Sequence, residues 1–150
     1  MNAFVLVGAP GAGKSTYAAK LAKEQNAVIV SGDDVRAELF GSAEIQGDWD
    51  AIWTRIDELV ADSSDRNVIL DGTHYRADYR SEVIALLRSY GYDRIEAVVI
   101  NPSLSTCIAR NFTRMGRNVP DYVVHEMYKK LQRSLKHIDS EPFDTVTYVL

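Results

Sequence analysis

Gly8-Ala9-Pro10-Gly11-Ala12-Gly13-Lys14-Ser15 follows directly on the apolar run Ala3-Phe4-Val5-Leu6-Val7. The stretch fills the pattern G-x-x-x-x-G-K-[ST] without a mismatch, and each part of that pattern has a physical purpose. The glycines let the loop wrap so that successive backbone N–H groups point inward at phosphate oxygens. Lys14 adds a point charge at the β- and γ-phosphates, and Ser15 can offer its hydroxyl to Mg²⁺. The residues after the loop read as a helix near 14–25, with Tyr17, Ala18 and Leu21 spaced to face a core. The loop therefore sits between a strand and a helix N-terminus and gains the positive end of the helix dipole. A plain Gly-rich turn with an incidental lysine would not need strand, loop and helix in that order. The stretch predicts a cradle for the phosphates of a nucleoside triphosphate.

Working outward, apolar strand-like runs at 3–8, 28–31, 67–72, 94–101 and 145–150 alternate with helical patterns near 33–40, 49–64, 77–90, 104–115 and 120–138. Continuous apolar runs such as Val68-Ile69-Leu70 predict strands buried on both faces. Connections this long imply parallel pairing through helical crossovers. The expected fold class is α/β, a three-layer α/β/α sandwich around a mainly parallel sheet of about five strands. No repeat, low-complexity tract or internal linker interrupts it, so residues 1–150 are expected to form a single domain.

In such sheets the ligand lies beyond the C-terminal strand ends. That rule selects the phosphate loop, Ser31 to Arg36, Asp71 to His74 and Asn101 to Ser103. A phosphotransferase acting on a hydroxyl needs a carboxylate beside the attacking oxygen, and Asp33 is the candidate general base. Arg36, one helical turn later on the same face, suits a bidentate grip on an anionic acceptor. Asp34 is assigned to capping the helix that follows. Asp71 closes Asn67-Val68-Ile69-Leu70-Asp71 in the manner of a Walker B-type strand, whose carboxylate holds Mg²⁺ directly or through water. His74 is open between substrate contact and a turn residue.

Arg110 and Arg114 lie four apart on one helix face, with Arg117 beyond, an arrangement that a phosphate between them would relieve. Such arginines stabilise charge on the transferring group as a lid closes. Trp49 and Trp53, with Ile52, Ile56, Leu59 and Val60, read most simply as a core stripe. Stacking of a Trp on a base is the lesser alternative. Met127, Leu131, Leu135 and Ile138 read as core.

The chain carries a net charge of −4, which disfavours the coating of long duplex nucleic acid but allows a strand end in a local basic pocket. Its one cysteine, Cys107, excludes an internal disulfide, fits a reducing cytosol and reads as a small buried helix residue. No apolar stretch approaches membrane-span length, and the N-terminus has no basic region leading into a signal sequence, so a cytoplasmic location is expected.

With these motifs in hand, the chain resembles the kinase domain of the bacterial and phage 5′-hydroxyl polynucleotide kinases, within a wider group of small P-loop kinases. The resemblance runs over nearly all of the chain. It rests on Gly8 through Thr16, Asp33-Asp34-Val35-Arg36, Asp71-Gly72-Thr73-His74, and Arg110-Asn111 through Arg114, continuing into Val119-Pro120 and Met127-Tyr128-Lys129. It implies a P-loop NTPase fold with an Arg-bearing lid, and ATP with Mg²⁺ as donor. Lys14, Ser15 and Thr16 would hold the ATP phosphates and metal, and Arg110 and Arg114 would clamp the donor. Asp33 would be the base, and Arg36 would hold a phosphate of the acceptor nucleotide. The family often has Asn where His74 stands. No phosphatase or ligase module follows, so any repair partners are expected on other chains. The same group contains kinases of metabolites and antibiotics, which is the alternative function. A nucleotide-binding regulatory module is a third, and the general base at Asp33 argues against it.

Overall fold

Each apolar run of the sequence becomes a strand, and the amphipathic stretches between them become helices. The computed structural model describes residues 1–45, 47–113 and 119–149. The order is β1 (Asn2–Val7), α1 (Lys14–Gln25), β2 (Ala27–Ser31), α2 (Gly32–Phe40), α3 (Trp49–Asp62), β3 (Asn67–Asp71), α4 (Ala77–Ser89), β4 (Arg94–Ile100), α5 (Leu104–Thr113) and α6 (Asp121–Leu135). A short 3₁₀ turn over Ile138–Ser140 then leads into β5 (Thr145–Val149).

The five strands form one sheet in the order β2-β3-β1-β4-β5, and all four pairings are parallel. Helices flank it in the expected three-layer α/β/α arrangement. Ala3 to Val7 and Val68 to Leu70 are buried, as a strand covered on both faces requires. The edge strands β2 and β5 are less covered, leaving Ile29 and Tyr148 exposed.

Register brings the chemistry to one end of the sheet. Val5 lies opposite Leu70, and Ser31 opposite Asp71, so β1, β3 and β2 end side by side. The chain runs from β1 outward past β3 to β2, and later crosses from β3 over β1 to β4. That reversal makes the β1–β3 crevice the place where a ligand fits. The N–H of Gly8 donates to the carbonyl of Thr73 at 3.0 Å and ties the two strand ends together there.

Three details differ from expectation. The cap of α2 is Ser31, whose hydroxyl accepts from the Asp34 N–H at 3.3 Å, so Asp34 is not the cap. It sits exposed in the first turn, where its charge favours the helix dipole. The last helix ends at Leu135 rather than 138, and the carbonyl of Ser134 in its final turn accepts from Arg80. The Trp49 side of the α3 stripe is not core: Ile52, Ile56 and Val60 are buried, but Trp49 is 43% exposed.

Candidate active site

Beyond the C-terminal ends of β1, β2 and β3 lies a cleft of about 870 Å³. The phosphate loop forms one side. Gly11 has φ +82, and a side chain there would place a Cβ 2.1 Å from the carbonyl oxygen of Cys107. Gly13 has φ +98 and is the residue from which α1 starts. Only glycine meets both demands, a left-handed backbone and close approach of another chain segment. Ala9 and Ala12 of the loop are buried, while Pro10, Ser15 and Thr16 line the cleft. Lys14 is largely buried, with its ammonium donating to the Ala9 carbonyl at 2.9 Å.

The first polar pair brought together is Ser15 and Asp71, 56 residues apart in sequence, whose hydroxyl and carboxylate lie 3.1 Å apart. One hydroxyl and one carboxylate are hard oxygen donors. Such a sparse set suits Mg²⁺, which keeps its remaining positions for phosphate oxygens and water.

At the start of α2, after β2, the guanidinium of Arg36 meets the carboxylate of Asp33 at 3.4 Å, one turn apart as the spacing predicts. Both side chains line the cleft and remain partly accessible from it. Ser31 already serves as the cap, so Asp33 is not held to that task.

On the α5 side, Arg110 donates to the Ala12 carbonyl at 2.8 Å and lies over the phosphate loop. Arg114 and Arg117 lie outside the described residues. Asn111, which the sequence marks only as a neighbour of the arginines, is fully buried and makes two bonds to one residue. Its amide donates to the Val119 carbonyl at 2.7 Å, and its carbonyl oxygen accepts from the Val119 N–H at 3.3 Å. The available signal was phase: Asn111 falls four residues after Cys107, on the face of α5 that is buried. Cys107 is buried as expected, and burial pushes its thiol pKa up.

His74 is a structural turn residue as well as a wall of the cleft. Its φ is +44, the residue is 5% exposed, and its Nδ1 lies 2.6 Å from the Leu6 carbonyl. A carbonyl can only accept, so Nδ1 carries the proton. Burial lowers its pKa to about 4, and the charges of Lys14 and Arg80 push the same way, so the ring is neutral at pH 7. Arg80, also missed, is completely buried. It donates to the His74 carbonyl at 2.8 Å and to both carboxylate oxygens of Glu141 at 2.7 Å. Its signal was likewise phase, a charge in register with Val83, Ile84 and Leu87 on α4.

Leu131 and Ile138 are core as expected, and Leu135 packs against it. Met127 instead lines the cleft, as Arg110 and Thr113 also do.

Among the described residues, no helix is long and apolar enough to cross a membrane. A protein family described as "AAA domain" matches residues 4–137. No curated protein matches the chain. Among solved structures, a chain of the Pnkp1/Rnl/Hen1 RNA repair complex is similar at 25% identity with a TM-score of 0.81, over 92% of this chain and 46% of that one. The chain thus spans less than half the length of that relative. A gluconokinase from Sinorhizobium meliloti 1021 is similar at 19% identity with a TM-score of 0.63, over 99% of this chain and 81% of that one. A sugar kinase from Janibacter sp. HTCC2649 is similar at 18% identity with a TM-score of 0.66, over 99% of this chain and 84% of that one.

Proposed function

The chain belongs to the AAA domain family over residues 4–137, and on that premise we propose that it transfers the γ-phosphate of ATP to the 5′-hydroxyl end of a polynucleotide. Its P-loop kinase fold supports an ATP-dependent phosphotransferase. The observation that carries the acceptor assignment is the Asp33–Arg36 pair, which lines the same cleft as Lys14, Ser15 and Asp71. A carboxylate at that place orients a hydroxyl and takes its proton. A guanidinium one turn away suits a substrate that carries a phosphate near the reacting hydroxyl, as the 5′-terminal nucleotide of a polynucleotide does through its 3′-phosphate.

In the reaction, the 5′-oxygen forms a bond to the γ-phosphorus while the bond from that phosphorus to the β–γ bridging oxygen breaks. The hydroxyl proton passes to Asp33, and ADP leaves. Backbone N–H groups of Gly8 to Ser15, the helix dipole of α1 and the charges of Lys14 and Arg110 stabilise the negative charge on the phosphates. Ser15 and Asp71 are the residues that would hold Mg²⁺, which would supply charge neutralisation for the donor phosphates. Arg114 is assigned to the same clamp as Arg110. Repair enzymes are the partners that fit such an activity.

The test is a panel of acceptors with radiolabelled ATP: a 5′-hydroxyl oligonucleotide, a nucleoside 3′-monophosphate, the matching nucleoside, and gluconate. The oligonucleotide is expected to be phosphorylated and the 3′-monophosphate to react weakly, with the nucleoside below it by roughly ten- to a hundredfold. Arg36→Ala should shrink the gap between nucleotide and nucleoside instead of slowing both equally. Good transfer to gluconate, or to another small hydroxyl compound but not to oligonucleotides, would instead establish a small-molecule kinase.

A further inference from the structure

One wall of the acceptor side is built from aromatic rings. Trp49 is the first residue of α3 and lines the cleft while remaining 43% exposed. Asp48 fixes that helix end, its carboxylate accepting from the Asp50 N–H at 3.0 Å. Tyr79 of α4 meets the Trp49 indole edge-on, with centroids 5.0 Å apart and planes at 72°. Trp53, one turn along α3, lies 6.4 Å from Trp49 and 5.7 Å from Tyr79. The His74 ring stacks on Tyr79 at 5.5 Å with planes 9° apart.

These neighbours make Trp49 different from a core residue that is merely incompletely covered. The indole is supported by Tyr79 and Trp53, whose own positions are fixed by packing on the core. It still keeps a large apolar area open inside a cleft, where a planar ligand can cover it with little further ordering. The anion-binding side adjoins this wall. Arg36 lines the same cleft as Trp49 and Tyr79. An aromatic platform next to a guanidinium matches a ligand with a flat ring and a phosphate a few bonds apart.

Resting on the polynucleotide reading above, we infer that Trp49 stacks on the nucleobase of the 5′-terminal nucleotide of the acceptor, while Arg36 holds the phosphate that follows it. Every base presents a π-face, so this subsite accepts all four bases and reads the presence of a base rather than its identity.

The test compares two trinucleotides with free 5′-hydroxyls, one carrying all three bases and one abasic at its 5′ position. Wild type, Trp49→Ala and Trp49→Phe are assayed with both. The wild-type enzyme should use the abasic acceptor roughly ten- to a hundredfold less well, mainly through KM. Trp49→Ala should lose that preference by weakening only the base-bearing acceptor, with the KM for ATP unchanged. Trp49→Phe should restore most of it. The chain has two tryptophans, so Trp53→Phe leaves Trp49 as the single tryptophan, which can be excited selectively over tyrosine. Its fluorescence should be quenched by the full trinucleotide and not by the abasic one. Equal use of the two acceptors by the wild type, or an equal loss on both in Trp49→Ala, would overturn the stacking subsite and leave the 5′-hydroxyl kinase reading intact. Failure to phosphorylate either trinucleotide would overturn both.

Discussion

His74 combines three unusual conditions in one residue: a left-handed backbone, burial, and a ring proton committed to the Leu6 carbonyl. Its neutral state links stability to pH. The unfolded chain takes up a proton at this residue near pH 6.5, whereas the folded chain resists until about pH 4. Stability from this group is therefore fully present above pH 6.5 and is lost as pH falls toward 4. About 2 kcal/mol should be gone by pH 5. His74→Asn keeps a residue type that tolerates positive φ but removes the titration. Urea unfolding at pH 7.5 and pH 5 should then give a smaller difference for the variant than for the wild type. An identical slope in both would show that His74 does not carry the linkage.

At the scale of elements, the phosphate loop is shaped by α5 as much as by its own glycines. The backbone of Cys107 approaches Gly11 so closely that a Cβ has no room, and Arg110 reaches the Ala12 carbonyl from the next turn. Asn111 then holds Val119 through both of its backbone polar groups. Loop and helix thus act as one assembly, with Arg110 anchored on the phosphate loop. Gly11→Ala should disturb both at once, through strain at φ +82 and displacement of α5. The expected loss is more than 1 kcal/mol of stability. The rise in melting temperature that saturating ATP gives the wild type should disappear as well. A normal ATP-induced shift in the variant would mean that α5 yields without deforming the loop.

Across the whole molecule, Arg80 connects parts that are far apart in the chain. Its guanidinium bonds to Glu141 through two nitrogens, to the His74 carbonyl, and to both the hydroxyl and the carbonyl of Ser134. Ser134 in turn donates to the Tyr75 carbonyl at 2.7 Å. The loop after β3, helix α4, the end of α6 and the approach to β5 are thereby fastened at one buried point. Removing one partner of a buried ion pair leaves the other uncompensated, so Arg80→Leu should destabilise the fold by about 3–5 kcal/mol in urea titration. Adding Glu141→Leu should recover a substantial part of that loss, because a matched apolar pair replaces an orphaned charge. A double variant as unstable as the sum of the singles would show that Glu141 is not the partner that matters.

The sequence by itself determined the parts of this protein whose chemistry is local. The phosphate loop is contiguous, and its glycines, lysine and serine carry their purpose in their spacing. Asp33 and Arg36 share a helix face, so their pairing followed from one turn of helical geometry. Asp71 was legible because it ends an apolar strand, and parallel sheets collect their ligands at that end. The strand and helix alternation likewise sufficed for the three-layer fold. Tertiary structure alone decided which segments became neighbours. Ser15 meets Asp71 across 56 residues, and Arg80 meets Glu141 across 61, because strand order and helix packing bring them together. Trp49 belongs to a stripe that reads as core, yet it opens into the cleft because the packing of α3 and α4 leaves it at the rim. Helical periodicity tells which side chains point the same way, whereas the surface they meet depends on the arrangement of the other elements.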